Sequence, residues 1–448
     1  MTDIKAQALK YHQMPAPGKI EVISTKPCVT KDDLSLAYTP GVAQPCLEIH
    51  KNIEDAYKYT MKGNCVAVVS DGTAVLGLGN IGPEAGLPVM EGKAVLFKRF
   101  ADIDAIPICL GKVFDASGKT DAKKLITVVE TFEPFLGGIN LEDIGSPACF
   151  EVETTLKKLM GIPVFHDDQH GTAIISTAAV MNAVKLTGRT MATAKFVVNG
   201  AGAAGIACAE MYIRAGADRK NFLLVDSKGV IHADRDDVAK LNQEKKNFAN
   251  KTSARTLADA MKGADIFIGV SVADCVTAEM VQSMAKDPIL FAMANPTPEI
   301  MPDIAWKAGA KVVGTGRSDF ANQVNNVLGF PGIFRGALDT RASQINDEMK
   351  LAAAYALADL MTGEIPADIK AYLAVPYKDD AAAGMFDGKN PMKPTYVIPK
   401  PFDPRVVPHV ARFVAEAAMK TGVAKIQIPD LDAYEKSVAA RVAAKLKK

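Results

Sequence analysis

The sequence lacks several features that would direct it to particular classes of protein. Lys and Arg number 52 against 51 Asp and Glu, so no charge excess indicates nucleic acid or a membrane surface as the main partner. The seven cysteines form no C-x-x-C pair, which excludes the usual zinc and redox motifs. No apolar run reaches the roughly 18 residues of a membrane span, and the N-terminus has no apolar core of signal-peptide length. These absences favour a cytoplasmic protein with reduced thiols and small-molecule ligands.

The chain of 448 residues, 48% of them hydrophobic, is long enough for two or three domains. We predict a mixed α/β domain in residues 1–160, where short apolar strands alternate with helical stretches and frequent Pro and Gly. In residues 161–400, runs such as IPVF, KFVVN and NFLLVD alternate with helical stretches, which predicts an α/β domain with a Rossmann-type, doubly wound parallel sheet. We expect residues 401–448 to form a helical tail that packs on another domain or subunit, or on the core of its own domain.

Two glycine-rich stretches compete as a dinucleotide-binding turn. NGAGAAG, at 199–205, follows the strand KFVVN and opens a helix, and NFLLVD ends on Asp226 about 20 residues later. The free N–H groups at the start of that helix suit a pyrophosphate. The cofactor-binding residues predicted at this turn are Gly200, Ala201, Gly202, Ala203, Ala204 and Gly205.

The other stretch, VLGLGNIG at 75–82, has the wrong context. The runs NCVAVV and TAVLGL flank the Asp71-Gly72 pair, which indicates an antiparallel hairpin. Pro83 and Pro88 follow, so we expect no crossover helix of the required length. This stretch is therefore predicted to be a tight turn.

The residue types after the second strand leave the choice of dinucleotide open. Asp226 is placed to accept the ribose hydroxyls and to repel a 2′-phosphate, which favours NAD. Ser227 and Lys228 offer a hydroxyl and an ammonium that can bind the 2′-phosphate of NADP. Ligands of doubly wound sheets lie beyond the carboxyl ends of the strands, so we also single out Ser271, Asn295 and Thr315.

Acidic residues cluster at two further strand ends. GGINLEDIGS carries Glu142 and Asp143, and IPVFHDDQHGT carries Asp167 and Asp168, each pair before a predicted helix. Carboxylates gathered at the mouth of a sheet repel one another unless a cation lies between them. An all-oxygen ligand set suits Mg²⁺ or Mn²⁺ rather than zinc. The alternative is a set of helix N-caps and solvated loop charges.

Several longer motifs resemble one family in content and in order. They are PGKIEVISTKPCVTKDDLSLAYTPGVAQPC, SDGTAVLGLGNIGPEAGLPVMEGKAVLFK, NLEDIGSPACFEVE, FHDDQHGTAI, NGAGAAGIA and GRSDFANQVNNVLGFPGIFRGALD. Together they are similar to the malic enzymes, in the compact bacterial form without a phosphotransacetylase-like domain. The resemblance implies oxidative decarboxylation of L-malate to pyruvate and CO₂ with reduction of NAD(P)⁺. It also implies a divalent cation, Mg²⁺ or Mn²⁺, and a homodimer or larger homo-oligomer.

The resemblance also implies roles for the residues that match the family's motifs. Lys93 matches the general base that takes the C2 hydroxyl proton, and Tyr38 matches the acid that protonates the enolate. Asp167 matches a residue that assists proton transfer. The matching metal ligands are Glu142, Asp143 and Asp168, and the matching contacts to malate or the nicotinamide ribose are Asn295, Asn325 and Asn326.

Some positions and alternatives stay open. Ala74 stands where some larger relatives carry a carboxylate-binding Arg, so the partner of the malate carboxylate is unassigned. The stretch AVPYKDDAAAGMFDGKNPMKPTYVIP, at 374–399, has no assigned role. A hydroxy-acid dehydrogenase that stops at the keto acid needs no divalent cation, so the acidic clusters argue against it. A non-catalytic dinucleotide-binding subunit would have no use for Tyr38 and Lys93.

Overall fold

The computed structural model describes residues 4–75 and 77–445, and the chain divides into two compact units. The first unit comprises Met1–Phe165, Leu338–Gln344 and Ala424–Ile426. The second comprises His166–Ala337, Ile345–Val423 and Gln427–Lys448. Leu76 of the stretch VLGLGNIG and residues 446–448 of the predicted tail lie outside the described residues.

The first unit is built on a parallel sheet. Its elements are α1 (Ile4–Gln13), α2 (Lys31–Ala37), α3 (Ala43–Lys51), α4 (Ala56–Tyr59), β1 (Cys65–Ser70), α5 (Pro83–Ala101), β2 (Asp104–Cys109), α6 (Ala122–Val129), β3 (Gly138–Leu141), α7 (Ala148–Leu159) and β4 (Val164–His166, whose last residue counts with the second unit). The strand order is β2-β1-β3-β4, and β1 pairs in parallel with both β2 and β3. The run IPVF, assigned from the sequence to the second domain, thus forms the edge of this first sheet.

The hairpin predicted around Asp71-Gly72 is wrong. β1 pairs in parallel with β2, and the 19-residue helix α5 forms the crossover between them. Pro83 occupies the start of that helix, where its missing N–H is not needed. Pro88 does lie inside the helix, but Met90 and Phe97 belong to a buried apolar face, and tertiary packing overrides the weak local propensity.

The second unit contains the predicted doubly wound sheet. Its elements are α8 (Asp167–Leu186), β5 (Phe196–Asn199), α9 (Ala203–Arg214), β6 (Phe222–Asp226), β7 (Gly229–Val230), α10 (Gln243–Lys246), α11 (Leu257–Met261), β8 (Ile266–Gly269), α12 (Ala278–Gln282), β9 (Ile289–Ala292), α13 (Pro302–Lys307), β10 (Val312–Thr315), α14 (Phe330–Asp339, whose last two residues count with the first unit), α15 (Asp347–Asp359), α16 (Ala367–Leu373), α17 (Lys378–Ala382), α18 (Val406–Lys420) and α19 (Leu431–Lys445). The order is β10-β9-β8-β5-β6-β7, with parallel pairing except for the short edge strand β7. The predicted α/β fold class with a Rossmann-type sheet is confirmed.

Fully buried strands and aromatic stacking make the core of this unit. β5, β8, β9 and β10 are buried along their whole length, as expected for a parallel sheet covered on both faces. The rings of Phe196 and Phe222 stack across neighbouring strands with centroids 4.5 Å apart. The predicted tail helix α19 packs on α18 of the same unit and buries Val438 and Val442.

Within the described residues, none of the helices combines the length and the apolar character that crossing a membrane requires.

Candidate active site

The second glycine-rich stretch has the geometry of a dinucleotide turn. Gly200 follows β5 with φ of 113°, and α9 begins immediately after Gly202. A Cβ at Gly205 would lie 1.8 Å from the carbonyl oxygen of Gly200, so only glycine permits this approach of helix and strand. No heavy atom lies within 4 Å of a Cβ built on Gly202, and the N-terminus of α9 carries no side-chain cap. The turn therefore offers backbone N–H groups and open space, which suits a pyrophosphate.

The end of β6 carries a cluster of two acids and two bases. Arg235 donates to both oxygens of Asp226, with distances of 2.9 and 2.8 Å, and its Nε donates to Asp237 at 2.5 Å. The Nζ of Lys228 donates to Asp237 at 2.6 Å. Burial favours a higher pKa for Asp226, but the hydrogen bonds from Arg235 and from the Lys228 N–H lower it below its usual value. Hydrogen bonds from Arg235 and Lys228 lower the pKa of Asp237 to about 2.

Lys93 and Glu142 form a buried ion pair in the first unit. Lys93 projects from α5, and Glu142 directly follows β3. The Lys93 Nζ lies 2.8 Å from Oε1 of Glu142, and the two side chains are only 11% and 5% exposed. The other oxygen of Glu142 accepts a hydrogen bond of 2.7 Å from the amide of Asn140. A fixed amine and a fixed carboxylate thus lie together at the carboxyl end of a parallel strand.

The neighbouring Asp143 has an unusual backbone. Its φ of 55° lies in the left-handed region, and its side chain is buried. Such a conformation in a residue other than glycine is uncommon and is often found at functional sites. The backbone N–H of Ala74 donates to the Asp143 carbonyl at 3.0 Å. Ala74 itself therefore contributes its N–H to this loop rather than to a ligand.

A buried carboxylate that the sequence reasoning missed holds the loop between β1 and α5. Asp71 accepts hydrogen bonds of 2.6 Å from the hydroxyls of both Thr73 and Thr120. The Thr73 oxygen in turn accepts the Gly145 N–H at 2.8 Å, two residues beyond Asp143. The SDGT motif could have indicated this network, because Asp two residues before Thr favours a local Asx turn.

In the second unit, Asp167 and Asn326 lie together although they are 159 positions apart in the sequence. The amide of Asn326 donates to Oδ2 of Asp167 at 3.2 Å and to its carbonyl at 3.3 Å. Asp167 is fully buried, and it and Asp168 are the first two residues of α8 rather than residues before that helix. A Cβ at Gly171 would lie 2.4 Å from Asp167 Oδ1, so this glycine allows the close approach.

The loop that leads to Asn325 is anchored by Asn322. The amide of Asn322 donates to Val313 at 2.9 Å and to Pro394 at 2.8 Å, and its oxygen accepts the Val397 N–H at 2.8 Å. Asn322 is buried and has a φ of 52°. The stretch 374–399, which had no predicted role, therefore supports the loop that carries Asn325 and Asn326.

The carboxylates proposed as metal ligands fit a hard cation by their chemistry, since they supply only oxygen. Glu142 and Asp143 are buried, and the Asp168 side chain is 36% exposed. In the part of the chain that the structure describes, no group of three or more His, Cys, Asp or Glu side chains is arranged to hold a metal ion. The assignment of Glu142, Asp143 and Asp168 as ligands therefore stays a prediction from the sequence.

Tyr38, unlike the buried Lys93–Glu142 pair, lies in an exposed part of the chain. It directly follows the last residue of α2, and it is 70% exposed. It lies in an N-terminal segment, residues 4–61, in which none of the described side chains is buried. This segment contacts the rest of its unit through Lys19, which bonds to Glu91 and Pro88, and through an ion pair between Glu54 and Arg341.

Comparisons with known proteins cover nearly the whole chain. Residues 17–157 match the family model of the malic enzyme N-terminal domain, and residues 169–377 match that of the malic enzyme NAD-binding domain. The bifunctional malic/malolactic enzyme of Bacillus subtilis (strain 168) is 52% identical over 97% of this chain and 98% of its own.

Two proteins of Rhizobium meliloti (strain 1021), an NADP-dependent and an NAD-dependent malic enzyme, are 51% and 50% identical over 98% and 96% of this chain. The matches cover 56% and 54% of those two proteins, so this chain spans about half the length of several curated relatives. The crystal structure of malic enzyme from Pyrococcus horikoshii superposes with a TM-score of 0.86 and 40% identity, covering 99% of this chain and 97% of its own. The chain belongs to the malic enzyme family.

Proposed function

We propose that this protein catalyses the oxidative decarboxylation of L-malate to pyruvate and CO₂ with reduction of NAD(P)⁺. The observation that carries the proposal is the buried Lys93–Glu142 pair, 2.8 Å between Nζ and Oε1, in a chain whose second unit has a dinucleotide turn at Gly200–Gly205. A buried amine next to an oriented carboxylate is suited to moving a proton at a substrate hydroxyl. The family membership supports the choice of malate.

Each of the chain's own site residues has a separate role in the proposed reaction. Lys93, in its neutral amine form, accepts the proton of the C2 hydroxyl, and Tyr38 donates a proton to the carbon that CO₂ leaves. Asp167, whose carboxylate the Asn326 amide orients at 3.2 Å, assists proton transfer. Asn295, Asn325 and Asn326 hold malate and the nicotinamide ribose.

Two bound groups complete the chemistry. Glu142, Asp143 and Asp168 would hold Mg²⁺ or Mn²⁺, which supplies Lewis-acid polarisation of the substrate oxygens. The turn from Gly200 to Gly205 would hold NAD(P)⁺, the hydride acceptor. The Asp226–Arg235–Asp237–Lys228 cluster is balanced in charge, so we propose that it accepts both NAD⁺ and NADP⁺.

We also propose that the protein is a homodimer or a larger homo-oligomer. The N-terminal segment, residues 4–61, exposes large apolar side chains, among them Val29 at 90% and Leu36 at 76%. Large apolar side chains that are exposed together in one segment are suited to an interaction site, and a stable interface takes about 800 Å² from each partner. A second copy that covers the segment would also enclose Tyr38, which proton donation to a shielded substrate requires. Light scattering at micromolar protein should give at least twice the chain mass, and a monomer would contradict the proposal.

The activity test measures initial rates of reduced-nicotinamide formation from L-malate with Mn²⁺, with saturating NAD⁺ or NADP⁺ and with a chelator control. Chelator-sensitive turnover that yields pyruvate and CO₂ in equal amounts supports the proposal. Oxaloacetate without CO₂ would instead identify a simple dehydrogenase. Folded protein that binds dinucleotide but turns over with neither cofactor would contradict the proposal. A cytoplasmic location stays a prediction from the sequence.

A further inference from the structure

A carboxylate outside the proposed machinery lies fully buried beside it. Glu299 ends the sequence ANPTPE, and none of its surface is exposed. Its Oε1 accepts the Ser271 N–H at 2.8 Å and the Ser271 hydroxyl at 3.3 Å, and its Oε2 accepts the Ala294 N–H at 3.0 Å. These donors are neutral, and burial raises the pKa of Glu299. A buried acid held by neutral donors is costly for the fold and is more typical of functional regions than of surfaces.

The donors of Glu299 come from two neighbouring strand ends. Ser271 follows β8, and Ala294 follows β9. A Cβ at Gly269, the last residue of β8, would lie 2.4 Å from Cδ of Glu299, so the carboxylate sits directly on the strand end. The Glu299 carbonyl also accepts the Val276 N–H at 3.0 Å. Glu299 thus joins the two loops that leave the carboxyl edge of the sheet.

Each loop is linked to the predicted dinucleotide site. The hydroxyl of Ser271 accepts a 2.8 Å hydrogen bond from the amide of Asn199, which immediately precedes Gly200. Ala294 immediately precedes Asn295. One chain of hydrogen bonds therefore runs from the glycine turn through Ser271 and Glu299 to the residue before Asn295.

We propose that Glu299 is a positioning residue that fixes Asn295 relative to the Gly200 turn, and so sets the fit of the nicotinamide end of the dinucleotide. This inference rests on the proposed function for the role of Asn295. The carboxylate is suited to the task because its two oxygens accept from two loops at once. A glutamine has one carbonyl oxygen, so its amide nitrogen would face the N–H of one loop and release it.

The test compares Glu299→Gln with Asp403→Asn, a matched control. Asp403 is a buried carboxylate of the same unit that accepts hydrogen bonds from Arg405, the residue before α18. We expect E299Q to weaken NAD⁺ and NADP⁺ binding at least tenfold in direct titration and to raise the KM for malate. Its thermal midpoint should stay within a few degrees of the unmodified protein. D403N should leave dinucleotide binding unchanged.

Direct titration separates this inference from the proposed function, because dinucleotide binding requires no turnover of malate. Unchanged dinucleotide affinity in folded E299Q would overturn the inference, as would an affinity loss of the same size in D403N. If E299Q does not fold, Ser271→Ala decides. That variant keeps both N–H donors to Glu299 and removes the Ser271 hydroxyl, with its link to Asn199 and its 3.3 Å hydrogen bond to Glu299. It should weaken dinucleotide binding about threefold or more, and unchanged binding would overturn the inference.

Discussion

Arg235 holds Asp226 through two parallel hydrogen bonds of 2.9 and 2.8 Å, so the acid that would read the adenosine ribose is neutralised by a base nine residues further on. A bidentate guanidinium–carboxylate pair has fixed geometry as well as favourable charge. Asp226 therefore repels a 2′-phosphate less than its position alone predicts. Lys228, mostly exposed at the rim, adds a second positive charge.

Replacing Arg235 should shift the cofactor preference toward NAD⁺. In Arg235→Gln the Asp226 charge is no longer compensated, so we expect kcat/KM with NADP⁺ to fall about tenfold more than with NAD⁺, equivalent to about 1.4 kcal/mol. Asp226→Asn is the matched opposite change and should favour NADP⁺. The measurement is the ratio of kcat/KM for the two dinucleotides. An equal loss with both in R235Q would show that the pair does not discriminate.

Two glycines of the same turn should respond differently to alanine. Gly205→Ala places a methyl group 1.8 Å from the Gly200 carbonyl oxygen, so we expect a stability loss of about 1–3 kcal/mol together with weak dinucleotide binding. Gly202→Ala places its methyl group in open space, where the pyrophosphate is expected. G202A should keep its thermal midpoint but bind NAD(P)⁺ about tenfold more weakly. Wild-type affinity in G202A would place the pyrophosphate elsewhere.

The sequence predicted the second unit better than the first for a physical reason. Runs such as KFVVN and NFLLVD are short, apolar and followed by turn residues. The local sequence is therefore enough to predict both the strand and the turn. Helix α5 was missed because Pro88 and its glycines oppose a helix, and only burial against the sheet stabilises it. Local pattern contains no information about that burial.

In the candidate site, too, the features that local sequence predicts differ from those that depend on the whole fold. The fingerprint at Gly200–Gly205 and the acid Asp226 follow from spacing along one strand-turn-helix unit. Arg235 follows no such motif, and the chain brings it back to Asp226 only because β6 and β7 form a short antiparallel pair. The contact of Asn326 with Asp167 spans 159 positions, so it depends on the whole fold of the unit.

Removing the amine of Lys93 should slow turnover strongly and leave dinucleotide binding unchanged. In Lys93→Met, we expect kcat to fall between 10²- and 10⁴-fold, the usual range for loss of a general acid or base. Lys98→Met is the control, since Lys98 lies on the same helix but pairs with Asp102 and Asp104 at 2.7 and 2.9 Å. NAD(P)⁺ affinity should be unchanged in both variants, because neither changes a residue predicted to bind the dinucleotide. Near-normal kcat in K93M would exclude Lys93 as the base.

The tail helix α19 should lose protection as the pH falls. Glu435 accepts from His409 Nδ1 at 2.8 Å and lies 3.4 Å from Arg412 Nε. The His409 hydrogen bond, with the charges of His409 and Arg412, lowers the Glu435 pKa below its usual value of 4.5. A lowered carboxylate pKa stabilises the folded state above the unfolded-state value, and this contribution disappears as the pH falls through the folded-state pKa.

Hydrogen exchange in residues 431–445 can measure this contribution. In Glu435→Gln we expect faster exchange at pH 7, equivalent to about 0.5–1 kcal/mol for a partly exposed pair. The difference from the unmodified protein should shrink below pH 4.5, because protonation removes the charge that glutamine lacks at every pH. Lys436→Gln, on the exposed face of the same helix, is the control and should not change exchange at either pH. If the difference in exchange between Glu435→Gln and the unmodified protein stays constant between pH 7 and pH 3.5, packing of the side chain rather than its charge stabilises the helix.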